Sequence, residues 1–307
     1  MSETSTSKVS QDAKERRKHY RENIPFLFGV TAELYYAHWG EFFHLAVFDE
    51  DDEAKDFDTA YQRTHQRYFN AIEGSKARRI LELASGGGAF SAWMAERTQG
   101  EVLGVDISPA QLTRAYRRLE NGKLRNLHFI EHDVMRIAEL DGAPFDAAVF
   151  LDAACYLPDK CAALQGITTR LQPGAKMLLV DWCRPEEVTA LQEEMILEPF
   201  YRSWCIPEME TVGGYERAFQ VAGFRLVEFE DLSLRVAPNW ERGYRAALQA
   251  LANPFVSKRL LGVAASTARY GPRAVRVAKD QFNAALLAKA AADAGLLRYV
   301  YFLVERL

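Results

Sequence analysis

A chain of 307 residues with 49% apolar and 26% charged residues has the make-up of a globular protein, enough for one elaborated α/β domain or two modest ones. A net charge of −4 gives no case for nucleic-acid binding. The four cysteines (Cys155, Cys161, Cys183 and Cys205) form no C-x-x-C pair, and neither they nor the six histidines show a familiar metal spacing, so no metal is expected.

In chain order, the polar residues 1–14 read as a mobile tail without the apolar core of a signal peptide. No apolar run approaches the ~18 residues that cross a bilayer, and the cytoplasm is the expected location. Residues 15–75 read as a helical segment on the substrate side, punctuated by the acidic cluster 49–53, a solvated loop or, alternatively, a Mg²⁺ site. From 76 to 235, apolar runs alternate with helical stretches. Strands are expected at 79–83, 101–105, 127–131, 146–151, 176–182 and 224–230, with a helical insertion at 185–220. An Ala-rich helical cap follows at 236–297, and 298–307 returns as the last strand. The predicted fold is α/β, a Rossmann-like seven-stranded, mostly parallel sheet with helices on both faces, an N-terminal helical segment and a cap inserted before the last strand. Ligands of such sheets lie at the carboxyl ends of the strands.

The motif ILELASGGG (80–88) runs from an apolar strand into a glycine turn, and the next strand ends on Asp106. Glycines admit a ligand close to the backbone, and an acid at the second strand tip can hold ribose hydroxyls, so the pattern points to a nucleoside. Ser91 stands where a dinucleotide fingerprint needs a third Gly or Ala, and Glu82 would repel a pyrophosphate. A cationic cofactor fits better. The stretch resembles the first motif of class I S-adenosylmethionine-dependent methyltransferases, with Ala84 in place of its first glycine. That resemblance implies S-adenosylmethionine as cofactor, held by Glu82, Ala84, Ser85, Gly86, Gly88, Asp106, Ile107, Asp133, Val134 and Leu151.

Further segments narrow the resemblance. VTAELYYAHWGEFFHLA (30–46) is similar to the substrate-side segment of sterol side-chain methyltransferases, matched at Trp39, Gly40, Phe43 and His44. Asp152-Ala153-Ala154-Cys155-Tyr156 and Asp181-Trp182-Cys183-Arg184 resemble segments of the sterol and tocopherol C-methyltransferase group, in which His stands at the position of Tyr156. Tyr35, Tyr36, Trp39, Phe43, Trp182 and Trp204 are then candidate walls of an acceptor pocket, and Asp152, Tyr156 and His44 candidate bases. The sulfonium methyl is already activated, so the enzyme mainly places a nucleophile in line. If a carbon–carbon double bond attacks, a carbocation follows, which aromatic faces stabilise and a base quenches.

The expected activity is methyl transfer to a hydrophobic isoprenoid or aromatic small molecule at carbon. N- or O-methylation, and a cyclase that keeps the cofactor as a structural element, are the alternatives. Seven basic residues without an acid between Arg245 and Lys279 suggest a solvated face, a dimer surface, or a cap that meets a diphosphate head or a membrane surface. Peripheral membrane contact and homo-oligomerisation are the partner expectations beside the acceptor.

Overall fold

The computed structural model describes residues 3–50, 56–121, 124–252 and 268–307. Residues 51–53 of the acidic cluster, and Lys258 and Arg259 of the basic stretch, lie outside them.

Seven strands form one sheet: β1 (Arg79–Leu83), β2 (Glu101–Asp106), β3 (Leu127–Glu131), β4 (Phe145–Leu151), β5 (Leu171–Cys183), β6 (Phe224–Asp231) and β7 (Arg298–Arg306). Their order is β3-β2-β1-β4-β5-β7-β6. The first five pair in parallel, and β7 runs antiparallel between β5 and β6. β1 and β4 read as near-continuous apolar runs because strands of a parallel sheet are covered on both faces. Ile80, Leu81, Leu83 and Ala147 to Phe150 are accordingly buried. The strand order reverses between β1 and β4, which places a crevice at their carboxyl ends.

Helices α4 (Ala89–Ala95), α5 (Pro109–Asn121), α6 (Lys160–Arg170) and α9 (Val212–Val221) connect the strands. Between β5 and α9 lie α7 (Ala190–Gln192), a π-turn (Glu193–Leu197) and α8 (Glu198–Trp204), the expected insertion. The cap is α10 (Ala237–Ala252) and α11 (Arg273–Asp293).

The N-terminal segment holds α1 (Glu3–Lys18), α2 (Tyr20–His38) and α3 (Phe57–Ala71). Residues 3–14, expected as a tail, are helical. Their helix is anchored where Arg16 donates from both terminal nitrogens to Glu198 (2.7 and 3.0 Å), a buried bidentate pair. An extended stretch, 40–48, runs under the cap with its buried backbone groups satisfied. Val47 N–H donates to Thr64 Oγ1 (2.9 Å), Ala46 N–H to Asn239 Oδ1 (3.1 Å), and Asn239 Nδ2 to the Ala46 carbonyl (2.7 Å). No described helix is long and apolar enough to cross a membrane.

Candidate active site

The turn after β1 is built for close approach. Gly86 and Gly88 take φ of +55° and +71°, angles that glycine reaches without penalty. A Cβ on Gly88 would lie 2.3 Å from the Phe129 ring. Ala84 shares the left-handed geometry at φ +52°, where an L-residue is strained. Asp106 closes the turn: one carboxylate oxygen accepts from Gly86 N–H (2.8 Å) and the other from Ser108 N–H (2.7 Å). Burial pushes its pKa up to about 6 against those hydrogen bonds.

Above the reversal point lies a cavity of about 210 Å³. Its floor is the strand ends: Ala84 after β1, Asp106 closing β2 and Ile107 after it, Phe150 and Leu151 closing β4 with Asp152 and Ala153 after them, and Trp182 on β5, with Val134 beside them. Its roof is one face of α2, where Tyr20, Ile24, Phe28 and Tyr35 fall at helical spacing. Trp39, Phe43, Tyr156 and Trp204 add side walls. Trp240, Gly243, Ala246 and Ala247 of α10 and Gln281, Ala285 and Ala288 of α11 complete the enclosure. The rings form a continuous array: Trp182 meets Trp204 and Trp240 edge-on at 5.2 and 5.7 Å, and Tyr35 lies 5.3 Å from Phe43. Asp106 and Asp152 are the carboxyl side chains of the described lining.

Asp152 is the unusual group. It sits past the end of β4 at φ +51°, with its N–H on the Val180 carbonyl (2.9 Å). Neither carboxylate oxygen has a partner in hydrogen-bonding geometry, although both are buried. Burial pushes its pKa well above the carboxylate range; the Tyr299 hydroxyl, Leu45 N–H and Trp182 indole N–H face it and pull the other way.

The remaining expected site residues distribute unevenly. Tyr156 lines the cavity, and burial raises its phenol well above the ordinary value. His44 is turned away from the cavity: its Nε2 lies 2.8 Å from Nε2 of His65, in a nest of Phe42, Tyr61 and Phe90. Burial lowers both imidazole pKa values, to about 3 and about 2, and it is the placement of His44 outside the cavity lining that sets it apart from the other candidate bases. Tyr36 is not in the lining either. Its hydroxyl donates to Gln111 Oε1 (2.7 Å) and stands over Gly87, with the Arg114 guanidinium 3.6 Å from its ring.

Glu82 lies behind the turn, hydrogen-bonded by Ser91, with its pKa pushed up by burial to about 8. Ser85 binds the Val105 carbonyl through its N–H (2.9 Å), while its buried hydroxyl is unpartnered. Asp133 engages Tyr20, Arg21 (2.7 Å) and Met135 N–H (2.9 Å), so Tyr20 stands between it and the cavity. Sequence reasoning missed Tyr20, Trp240, Gln281 and the small cap residues, which carry no motif. Among the described residues no cluster of three metal-binding side chains occurs. Of the basic stretch, Arg273 donates to Asn23 (2.6 Å) and lies over Phe26, and Arg245 donates to Glu241 (2.5 Å); neither lines the cavity.

A cationic nucleoside suits this arrangement: strand-end carboxyls, a glycine turn with left-handed backbone and an orphan Ser85 hydroxyl. Comparison with known proteins agrees. A family model described as a methyltransferase domain matches residues 74–223. The chloroplastic tocopherol O-methyltransferase of Arabidopsis thaliana is 22% identical over 74% of this chain and 70% of its own length. The 24-methylenesterol C-methyltransferase 2 of the same plant is 23% identical over 71% of this chain and 60% of its own. Among solved structures, the [4+2]-cyclase SpnF superposes with a TM-score of 0.73 at 17% identity, covering 92% of this chain and 94% of its own, which speaks for the fold. Residues 74–223 are thus a methyltransferase domain, and the chain is an S-adenosylmethionine-dependent methyltransferase similar to the tocopherol and sterol enzymes.

Proposed function

We propose that the chain methylates a carbon atom of an uncharged, apolar small molecule of isoprenoid or aromatic type, with Asp152 as the base. The observation that carries this reading is a buried, unpartnered carboxyl in an aromatic cavity whose described lining holds no lysine or arginine. S-adenosylmethionine, once bound, supplies an activated electrophilic methyl group. Ala84, Gly86, Gly88, Asp106, Ile107 and Val134 would hold it, on the side of the cavity nearer β2 and β3.

The acceptor then lies toward β4 and β5. When a carbon–carbon double bond of the acceptor forms the new bond to methyl, its neighbouring carbon becomes cationic. The faces of Trp182, Trp204 and Tyr35 each stabilise such a cation by roughly 0.5–2 kcal/mol. Asp152 takes the proton from the adjacent carbon, and the released C–H pair restores the double bond. Asp152 acts in its ionised form, and a carboxylate whose pKa is raised binds the proton more tightly once it takes it up. A neutral acceptor is favoured over a diphosphate because the described cavity lining holds no lysine or arginine.

The test uses methyl-labelled cofactor with a panel of sterol, prenylated quinol and prenyl diphosphate acceptors. Label is expected in a neutral acceptor, on carbon. Label confined to the diphosphates would overturn the acceptor class, and product without label would favour the cyclase alternative.

A further inference from the structure

We propose that Tyr35 and Gln281 together recognise a hydroxyl group on the acceptor, which makes that acceptor an alcohol or phenol on an otherwise apolar frame. This rests on the reading of the cavity as the site of a neutral, apolar acceptor.

The placement of Gln281 is the first observation. Gln281, Ala285 and Ala288 fall at helical spacing on the cavity side of α11. Two of the three are alanine, as an enclosing apolar wall requires. The third is a long amide that is 6% exposed. Burying an amide is unfavourable unless its polar atoms are bonded, so a hydrocarbon side chain would close this wall with less penalty.

Part of the amide is structural. Its Nε2 donates to the Ser203 carbonyl (2.6 Å), one of the last carbonyls of α8. A helix end leaves such carbonyls without a partner in the helix, so Gln281 caps α8. Any side-chain donor would serve there. Capping leaves over the oxygen of the amide, and that oxygen meets the Tyr35 hydroxyl at 3.0 Å. Tyr35 comes from α2 and lines the same cavity. Its ring packs against Trp204 (5.7 Å) on one element and Phe43 (5.3 Å) on another, which fixes the place of its hydroxyl.

The direction of these bonds decides what the pair can read. A carbonyl only accepts, so the nitrogen of the Gln281 amide faces Ser203 and its oxygen faces Tyr35. The Tyr35 hydroxyl must then be the donor, and its hydrogen is committed to Gln281. Its oxygen retains lone pairs, and the Gln281 amide retains a second N–H. The pair thus offers a ligand one acceptor and one donor. A hydroxyl answers both: its hydrogen goes to the Tyr35 oxygen, and its oxygen takes the Gln281 N–H. A carbonyl can take only the N–H, and a hydrocarbon takes neither. Gly243, Ala246 and Ala247 of α10 and Ala285 and Ala288 of α11 bring no polar side-chain atom to this side. A few placed polar groups in an apolar pocket set the orientation of its ligand, and here these two residues supply them.

The test is equilibrium binding to the full chain saturated with S-adenosylhomocysteine, read from tryptophan fluorescence. The probes are farnesol and cholesterol, each beside the carbonyl compound made by oxidising its hydroxyl. No methyl group moves in this experiment, so a failure of the base reading shows in label transfer and a failure of this one in the binding ratio. The parent should bind at least one alcohol about 5–10-fold more tightly than its carbonyl counterpart, the worth of one neutral hydrogen bond. In Gln281→Met the Tyr35 hydrogen is released and can donate to a carbonyl, so the ratio should fall to about one. A purely structural role would weaken both members of a pair alike and leave the ratio in place. Equal affinities in the parent, or no measurable binding of either alcohol, would overturn the proposal, as would a ratio in Gln281→Met equal to the parent's. If that variant does not fold, the parent ratio alone decides.

Discussion

At Ala84 the backbone is left-handed, φ +52°, and the residue carries a Cβ that disfavours this. The strain costs about 1–2 kcal/mol, while glycine at the same place would lose about 0.4–1 kcal/mol through the freer unfolded chain. Ala84→Gly is therefore expected to stabilise the fold by roughly 0.5–1 kcal/mol, read from urea unfolding. A destabilised variant would mean that the Cβ packs usefully in the cavity wall. The motif alone told that a glycine is usual here; whether alanine is strained depended on its backbone angle, which spacing does not encode. The same limit explains His44. The Trp39, Gly40, Phe43 and His44 match was legible, but a motif does not say where a side chain points, and the structure turns this imidazole into an aromatic nest with His65.

The contact between His44 and His65 ties the extended stretch to α3 and makes that junction sensitive to acid. Burial lowers both pKa values, to about 3 and about 2, from the usual 6.5. Both rings are neutral in the fold and become protonated more readily once unfolded. Their contribution is full above pH ~6.5 and is lost as pH falls from there toward ~3, at up to about 1.4 kcal/mol per pH unit for each proton taken up. The Arg97 charge, which also lowers the His65 pKa, acts in the same direction. Thermal unfolding between pH 7 and 4 should show this slope, and His65→Phe should flatten it. A slope unchanged by His65→Phe would place the acid sensitivity elsewhere.

Elements were legible in proportion to their pattern. Each expected strand is present, with β5 extended to Leu171–Cys183, because buried parallel strands leave unbroken apolar runs. The inward faces of α10 and α11 were not legible. Alanine and glycine fit many environments, and only packing shows that Gly243, Ala247 and Ala288 face the cavity.

For the molecule as a whole, the sheet supplies the chemistry and the added helices supply the enclosure. Tyr20 of α2 reaches Asp133, Tyr36 reaches Gln111, and Glu41 engages Arg114 and Arg118 of α5, so the N-terminal segment closes the cofactor side. The cap closes the acceptor side. On the proposed reading, this enclosed cavity performs methyl transfer with Asp152 as base. The most direct measurement is single-turnover transfer from methyl-labelled cofactor to an accepted substrate by the parent chain and by Asp152→Asn, with binding of S-adenosylhomocysteine measured alongside. Binding should be unchanged and the transfer rate should fall by about 10²-fold or more, the range of a positioned general base. Transfer by Asp152→Asn at the parent rate would contradict the claim.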